Sequence, residues 1–253
     1  MTYNCYNGAV ETLDKIIDTV NAARPDYLTI NEANKFDAND NHIMRQFAEK
    51  TGFSHYHLEL CGDGNEYHVA ALSKSPFVSI TAIKPMSRAA ILAVVDTKIG
   101  HTAFLSTHLS PFSELARLAE VAKVTNALKP YPNSVIMGDL NSLSSKDEYP
   151  EDFIEDFNSG QIRKFTTDGA VRFDVMRTLY KAGYIDIASL FELERENTVP
   201  TSVNQDAEHS TMRLDYILIS QALKEKATSY QVIKDALTEV ASDHYPVVVD
   251  IAI

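Results

Sequence analysis

The sequence places carboxylate, amide and imidazole side chains directly beside short apolar runs. Glu32 follows one such run and His108 follows another, while Asp139 and Asn141 come just after a third. Side chains of these types bind hard cations or transfer protons. The ends of strands meet at one rim of a sheet, so the pattern predicts a single site there. The full set is Asn4, Glu32, His108, Asp139, Asn141, Asp215, Asp243 and His244.

The segment from Gly138 to Asn141 contains two of these polar side chains, two positions apart. In extended backbone such side chains point the same way, so Asp139 and Asn141 are expected to face one ligand while Leu140 turns inward. Taken alone, an Asp or Asn after a strand is also a common turn or cap residue. The functional interpretation therefore depends on the joint pattern.

The elements that would position these residues are mainly strands. Between Tyr67 and Thr107 strands follow one another without room for a helix, which argues against a uniformly alternating parallel sheet. A layered sandwich of mixed or antiparallel sheets fits better. The predicted strands are Asp26–Ile30, Val69–Leu72, Ile91–Val95, Ala103–Leu105, Ser134–Met137, Leu214–Ile219 and Val247–Ile251.

Two segments have apolar residues at helical spacing, which predicts one buried stripe on each helix. The second stripe ends at Lys129 and Pro130, a common helix stop. The first stripe is Val10, Leu13, Ile17 and Val20, and the second is Phe112, Leu115, Ala119, Ala122 and Leu128.

Composition bounds the class of protein. With 253 residues, 45% of them apolar, the chain can bury a sizeable core, and we expect one domain over residues 1–253. The longest apolar run, Ala89–Val95, is too short to span a bilayer. The N-terminal residues lack the features of a secretory signal, so a cytoplasmic location is expected. The two cysteines, Cys5 and Cys61, indicate neither a disulfide framework nor a thiolate zinc site.

Charge and missing motifs exclude further classes. The formal net charge of −12 argues against tight binding of duplex nucleic acid through a basic surface. No Gly is followed by Lys, so there is no Walker-type phosphate loop. The chain also lacks the GxSxG and HExxH patterns of serine hydrolases and zinc proteases.

The polar residues and their neighbours resemble, in order along the chain, the endonuclease/exonuclease/phosphatase superfamily, whose fold is that of pancreatic-type deoxyribonuclease. The resemblance implies a four-layer α/β/β/α sandwich of two mixed, mostly antiparallel sheets with outer helices. The matching segments are Thr2–Asn4, Ile30–Glu32, Ala70–Pro76, Ser106–Leu109, Gly138–Ser142, Arg213–Ile217 and Ser242–Val247.

The resemblance implies hydrolysis of a phosphoester by in-line attack of water, assisted by Mg²⁺ or Mn²⁺. Glu32 would be the direct metal ligand with Asn4 beside it, and Asp243 would contribute from the opposite side. Mg²⁺ needs only one or two carboxylates, since it keeps several waters. The resemblance gives Asp139 one of two roles, either the base for the attacking water or a metal ligand. The sequence leaves both roles open.

The remaining roles also come from the resemblance. Asn141 would orient the attacking water or donate to a phosphoryl oxygen, and Asp215 would accept a hydrogen bond from His244, favouring the imidazolium beside the phosphate. His108 would be a second phosphate donor or acid. Three further residues, Arg88, Arg117 and His68, are candidates for substrate binding, with the solvated or structural alternative open for each.

The sequence departs from one branch of the superfamily. Abasic-site endonucleases carry an Asp two residues after the Asn4 position and a Tyr at the His108 position, where this chain has Tyr6 and His108. The chain therefore looks more similar to the deoxyribonuclease, sphingomyelinase and deadenylase branches. In this family, loops around the rim determine the choice of substrate, here including Asn34–Asn41 and Thr198–Ser210.

Three functions follow in order of support. The first is a metal-dependent phosphodiesterase or nuclease, whose partner would be a phosphoester substrate, including nucleic acid, although no strong basic footprint is present. The second is a phosphomonoesterase for a small soluble or lipid-derived phosphate, which the acidic charge favours. The third is a noncatalytic binding module on the same fold, because fold alone does not determine activity.

Overall fold

The computed structural model describes residues 1–61, 65–155, 157–204 and 211–253. Part of the predicted rim loop, residues 205–210, therefore lies outside the described residues. Across the described ranges, no helix combines the length and the apolar character needed to cross a membrane. Cys5 and Cys61 are both buried and not joined in a disulfide.

The described residues form fourteen strands and six α-helices. The strands are β1 (Thr2–Asn4), β2 (Tyr27–Asn31), β3 (His55–Glu59), β4 (Val69–Ser73), β5 (Phe77–Ala82), β6 (Ala90–Thr97), β7 (Gly100–His108), β8 (Ser134–Asp139), β9 (Thr166–Thr167), β10 (Ala170–Val171), β11 (Tyr184–Asp186), β12 (Asp215–Ser220), β13 (Ala227–Val232) and β14 (Val247–Ile251). The helices are α1 (Leu13–Ala23), α2 (Ala38–Thr51), α3 (Glu114–Leu128), α4 (Ser159–Phe165), α5 (Asp174–Lys181) and α6 (Ile187–Leu190). Three short 3₁₀ helices lie at Ser202–Asn204, Gln221–Lys226 and Thr238–Val240.

Two six-stranded sheets carry the fold. The first has the strand order β13-β14-β1-β2-β4-β3, and the second has the order β11-β12-β8-β7-β6-β5. In each sheet one central pair is parallel, β1 with β2 and β7 with β8, and the other neighbours are antiparallel. The predicted mixed, mostly antiparallel sheets are confirmed.

The layers follow from which face of each strand is apolar. Between the sheets lies one core, which includes Ala71, Ile91, Met137 and Ile217. On the outer face of the first sheet α1 and α2 pack on residues such as Ile30, and on the second sheet α3 and α5 pack on residues such as Leu218. Successive strand residues point to opposite faces, so each sheet fills two cores. The four-layer sandwich predicted from the sequence is confirmed.

The predicted helical stripes are partly wrong. In α1, Ile17 and Val20 are buried as expected, but Val10 precedes the helix and is 71% exposed. Of the second predicted stripe, only Leu128 is buried, since Phe112 precedes α3 and Leu115, Ala119 and Ala122 are exposed. The buried face of α3 instead presents Glu114, Arg117, Glu120, Val121, Val124 and Leu128. The apolar pattern misleads here because half of the buried face is charged.

Gly138, in β8, allows close approach of the neighbouring strand β7 and of Asn31 from the other sheet. Its φ is +144°, and a Cβ built on it would lie 1.8 Å from the carbonyl oxygen of Thr107 and 3.3 Å from Oδ1 of Asn31. Both neighbours are held in sheets, so neither has room to move aside. A residue with a side chain at this position would push β8 away from its neighbours.

We therefore expect Gly138→Ala to lower the free energy of unfolding by at least about 3 kcal/mol, through a strained backbone and a steric clash. Urea titration measures the change. Gly100→Ala is the matched control, because Gly100 also has a positive φ of +96° but no atom within 4 Å of its added Cβ. Equal losses in the two variants would contradict the role given to close approach.

Candidate active site

The central strands of both sheets end at the same edge of the sandwich, and a cleft of about 370 Å³ opens there. β2 leads into Glu32, β7 ends at His108, and β8 ends at Asp139. The cleft is lined by Tyr6, Asn7, Glu32, Tyr67, Arg88, His108, Pro111, Asp139, Asn141, Lys164, Asn204, Asp243 and His244. Seven of the residues singled out from the sequence therefore lie on one surface.

Asp139 lies at the centre of the site and is held on every side. Its Oδ1 accepts from the backbone N–H of Asn141 at 2.8 Å, and its Oδ2 accepts from Nδ2 of Asn4 at 3.2 Å. Nε2 of His108 lies 3.3 Å from Oδ2, and Nε2 of His244 lies 4.0 Å from the same oxygen. The carboxylate is therefore fixed between two imidazoles.

Burial alone would raise the pKa of Asp139, but the positive charge of the imidazoles outweighs burial. His108, which also donates to the carboxylate, and His244, with Lys164 beyond them, hold the pKa of Asp139 well below its usual range. Asp139 is therefore ionised at neutral pH. An anion so strongly stabilised is a weak proton acceptor.

His244 is buried between three carboxylates. Its Nδ1 lies 2.7 Å from Oδ2 of Asp215, and its Nε2 lies 4.0 Å from Oδ1 of Asp243. Burial alone would lower the pKa of His244, but Asp215, Asp243 and Asp139 raise it to about 10. His244 is thus an imidazolium at neutral pH, oriented by Asp215 and lining the cleft. A fixed cation of this kind stabilises negative charge on a bound phosphate.

Glu32 faces the cleft from the other sheet. Its backbone φ of +56° is unusual for a residue other than glycine. The carbonyl oxygen is held by the N–H of Gly8 at 2.8 Å, and Oε2 accepts from the N–H of Asn7 at 2.9 Å. Such backbone conformations persist where neighbouring contacts over-determine them, and they cluster at functional sites.

Asn4 takes a different place from that implied by the resemblance. The residue is fully buried and does not line the cleft. Its Nδ2 donates to Asp139 and, at 3.4 Å, to Oε1 of Glu32, while its Oδ1 accepts from the N–H of Tyr6. Since the amide oxygen is engaged by the backbone, Asn4 orients the two carboxylates and does not present a ligand atom to the cleft.

The fit of a divalent cation depends on the remaining oxygen donors. Within residues 1–61, 65–155, 157–204 and 211–253, no three or more His, Cys, Asp and Glu side chains form a cluster that could hold a metal. However, burial, together with Glu32 and Asp139, raises the pKa of Asp243 to about 6. This excess of negative charge suits a hard cation, and Mg²⁺ requires only one or two carboxylates. Glu32 and Asp243 are therefore a fitting donor pair.

Two candidate substrate-binding residues lie away from the cleft, and both predictions need correction. Arg117 is fully buried, where it donates to Glu114 and to the carbonyl oxygens of Ser110 and Lys164. His68 is 4% exposed and accepts from the N–H of Cys61. Neither lines the cleft, because both are used to hold neighbouring loops.

Arg88, the third candidate, does line the cleft. Its guanidinium lies 3.5 Å from the ring centroid of Tyr67, and its Nη1 donates to Oδ1 of Asn65 at 2.8 Å. A guanidinium that is held on one side by an aromatic ring and an amide is preorganised for an anion.

Several lining residues were not found by sequence reasoning. Lys164 lies in α4, Tyr67 precedes β4, and Asn204 lies in the first 3₁₀ helix. Tyr6 and Asn7 follow Asn4, so proximity to a predicted site residue could have found them. Asn204 lies within the rim loop Thr198–Ser210 named in the sequence analysis. Lys164 offered no such signal, because only the tertiary fold brings α4 to the cleft.

The chain matches the model of the endonuclease/exonuclease/phosphatase family over residues 1–244. It therefore belongs to that family, whose enzymes hydrolyse phosphoester bonds. Among curated proteins, no sequence relative is found.

Solved structures with the same fold include an AP endonuclease from Archaeoglobus fulgidus, with a TM-score of 0.72 and 17% identity over 100% of this chain and 98% of that one. A 3′ phosphatase, NExo, from Neisseria bound to a product DNA hairpin has a TM-score of 0.71 and 17% identity over 99% and 97%. A family protein from Beutenbergia cavernae has a TM-score of 0.67 and 18% identity over 98% and 69%. These likenesses show a shared fold.

The raised pKa of Asp243 predicts that this carboxylate destabilises the metal-free protein at neutral pH. In the unfolded chain the group ionises near 3.8, but in the folded protein it ionises at about 6. The folded state therefore holds the proton more tightly, so the cost is complete above pH 6 and fades as the pH falls toward 3.8.

We expect Asp243→Asn, in EDTA, to raise the free energy of unfolding by about 2 kcal/mol at pH 7.5 and by less at pH 4.5. Urea titrations at the two pH values measure both gains. The control is Asp18→Asn, which changes an exposed carboxylate on α1. A variant less stable than the wild type at pH 7.5 would refute the prediction.

Proposed function

We propose that this chain, as one catalytic domain over residues 1–253, is a divalent-metal-dependent phosphodiesterase that hydrolyses its substrate by in-line attack of water. The observation that carries the proposal is the position of Asp139 between His108 and His244, in a cleft that also exposes Glu32 and Asp243. Phosphoester hydrolysis needs a cation site, an oriented water and donors for the developing negative charge. The cleft offers a candidate for each.

Glu32 and Asp243 would hold the cation, which, when bound, polarises the phosphoryl oxygen and offsets charge on the leaving oxygen. Asn4 would not bind the cation itself; its amide would fix Glu32 and Asp139 relative to each other. This arrangement supports Asn4 as a positioning residue.

Asp139 would accept a hydrogen bond from the attacking water and hold it in line with the scissile bond. Its strongly lowered pKa favours orientation of the water over complete removal of a proton. Asn141 lies beside it and donates one N–H of its amide to the carbonyl oxygen of Leu109 at 2.9 Å. Its second N–H would remain for the water or for a phosphoryl oxygen.

His244 would donate from Nε2 to a phosphoryl oxygen, since Asp215 occupies Nδ1. His108 donates from Nε2 to Asp139, so it would hold that carboxylate toward the attacking water. Arg88 would bind the substrate phosphate at the edge of the cleft. The donors are fixed before the substrate arrives, which lowers the cost of reorganisation during the reaction.

Hydrolysis of bis(p-nitrophenyl) phosphate and p-nitrophenyl phosphate, compared with Mg²⁺, with Mn²⁺ and with EDTA, tests the proposal. We expect turnover of the diester that EDTA abolishes, because the cation site is part of the reaction. Glu32→Ala, Asp139→Ala and His244→Ala are each expected to lower kcat at least about 10²-fold while leaving the fold intact.

Glu49→Ala, which removes an exposed carboxylate on α2, is the control and should keep wild-type kcat. Faster turnover of the monoester would replace the diesterase with a phosphomonoesterase at the same site. Wild-type turnover by folded His244→Ala would overturn the assignment of the site. No turnover of either substrate would instead support a noncatalytic module on this fold.

A separate prediction concerns pH. His244 acts as the imidazolium, so activity is lost as the pH rises through its pKa of about 10. Asp215→Asn removes a neighbouring carboxylate and should lower that pKa toward 6.5. In plots of kcat/KM against pH, the wild type should lose activity near pH 10. Asp215→Asn should lose activity at least one pH unit lower. Profiles that superimpose in wild type and variant would exclude this role for Asp215.

A further inference from the structure

Helix α3 carries three charged side chains on its buried face. Glu114, Arg117 and Glu120 follow one another at intervals of three residues, and their exposed fractions are 7%, 0% and 3%. A buried charge is costly unless it is paired and hydrogen-bonded. None of the three lines the cleft, so the chemistry of the site does not itself use them.

Glu120 uses its two oxygens to join two separate loops. Oε1 accepts from the backbone N–H of Ser87 at 2.6 Å, and Oε2 accepts from the backbone N–H of Ser110 at 2.7 Å. Ser87 directly precedes Arg88, in the connection from β5 to β6, and Ser110 follows His108 by two residues. One buried carboxylate therefore joins the loop that contains Arg88 to the loop that follows His108.

The other two side chains hold different partners. Arg117 donates to the carbonyl oxygens of Ser110 and Lys164. Glu114 accepts from Arg117 and, through Oε1, from the N–H of Val175 at the start of α5. Glu114 thus joins two helices and does not contact the loop of Arg88.

We propose that Glu120 is a positioning residue that sets Arg88 at a fixed distance from His108 and thereby determines the affinity for the substrate phosphate. The inference rests on the proposed function, which makes Arg88 a phosphate-binding residue. The side chain of Arg88 is held by Tyr67 and Asn65, and Glu120 holds the backbone N–H of the preceding residue, Ser87. Preorganisation of this kind lowers the entropic cost of binding.

Glu120→Gln is the decisive variant, because it keeps the shape of the side chain. A glutamine offers one acceptor oxygen, so its NH₂ group must face one of the two backbone N–H donors. One loop is therefore released. We expect KM for bis(p-nitrophenyl) phosphate to rise about tenfold, with kcat changed less than about threefold, since ground-state binding is what weakens.

Two matched variants separate positioning from a general loss of stability. Glu114→Gln alters the same buried network but leaves both loop contacts of Glu120 in place, so it should keep the wild-type KM. Arg88→Ala removes the group through which Glu120 is proposed to act. In that background Glu120→Gln should raise KM no further, because the two effects share one pathway.

A structural readout does not depend on turnover. Hydrogen exchange should speed up in peptides that contain Ser87 or Ser110 in Glu120→Gln, and should stay unchanged there in Glu114→Gln. Binding of inorganic phosphate, measured by calorimetry, should weaken about tenfold in Glu120→Gln alone.

The outcomes distinguish the two proposals. A wild-type protein that binds phosphate but hydrolyses neither ester would refute the proposed function, and the phosphate titration would still decide the role of Glu120. An unchanged phosphate affinity in folded Glu120→Gln, or an equal loss with and without Arg88, would overturn the positioning role.

Discussion

One fully buried amide, that of Asn31, joins the two sheets at the edge where the cleft opens. Its Nδ2 donates to the carbonyl oxygen of Thr107 at 2.9 Å, and its Oδ1 accepts from the N–H of Asp139 at 2.9 Å. Asn31 belongs to the first sheet, whereas Thr107 and Asp139 belong to the second. A buried polar group without partners costs about 1–3 kcal/mol, so any shift that broke these hydrogen bonds would be unfavourable. The amide therefore holds β2, β7 and β8 in one arrangement. Glu32, the next residue, is thereby fixed relative to Asp139.

The charges of the site depend on this arrangement. Glu32 and Asp243 come from the side of the first sheet, and Asp139 and Asp215 come from the second, so joining the sheets brings like charges together. His244 offsets part of this repulsion, while burial, together with Glu32 and Asp139, raises the pKa of Asp243. Stability that a site gives up in this way is a common cost of function. Here it leaves the cleft suited to a cation.

Much of the fold was predictable because its central strands are buried on both faces and appear as continuous apolar runs. Edge strands such as β3 escaped detection, since only Glu59 of β3 is buried and Leu58 is its one aliphatic residue. The position of Gly138–Asn141 at the end of β8 located the centre of the cleft. Arg117 was misassigned because sequence does not reveal burial of a charged side chain. Lys164 was missed because no local pattern links α4 to the cleft.

Several of the contacts that shape the cleft are made to main-chain atoms. Asn31, Glu120 and Glu32 bind backbone groups of Thr107, Ser87, Ser110 and Asn7, whatever side chains those residues carry. A substitution other than proline at any of the four partner positions therefore keeps the backbone group that the contact needs. Structures that share 17% or 18% of their residues with this chain, at TM-scores of 0.72 and 0.67, are compatible with such freedom. Divergence of sequence can thus run far ahead of divergence of the fold.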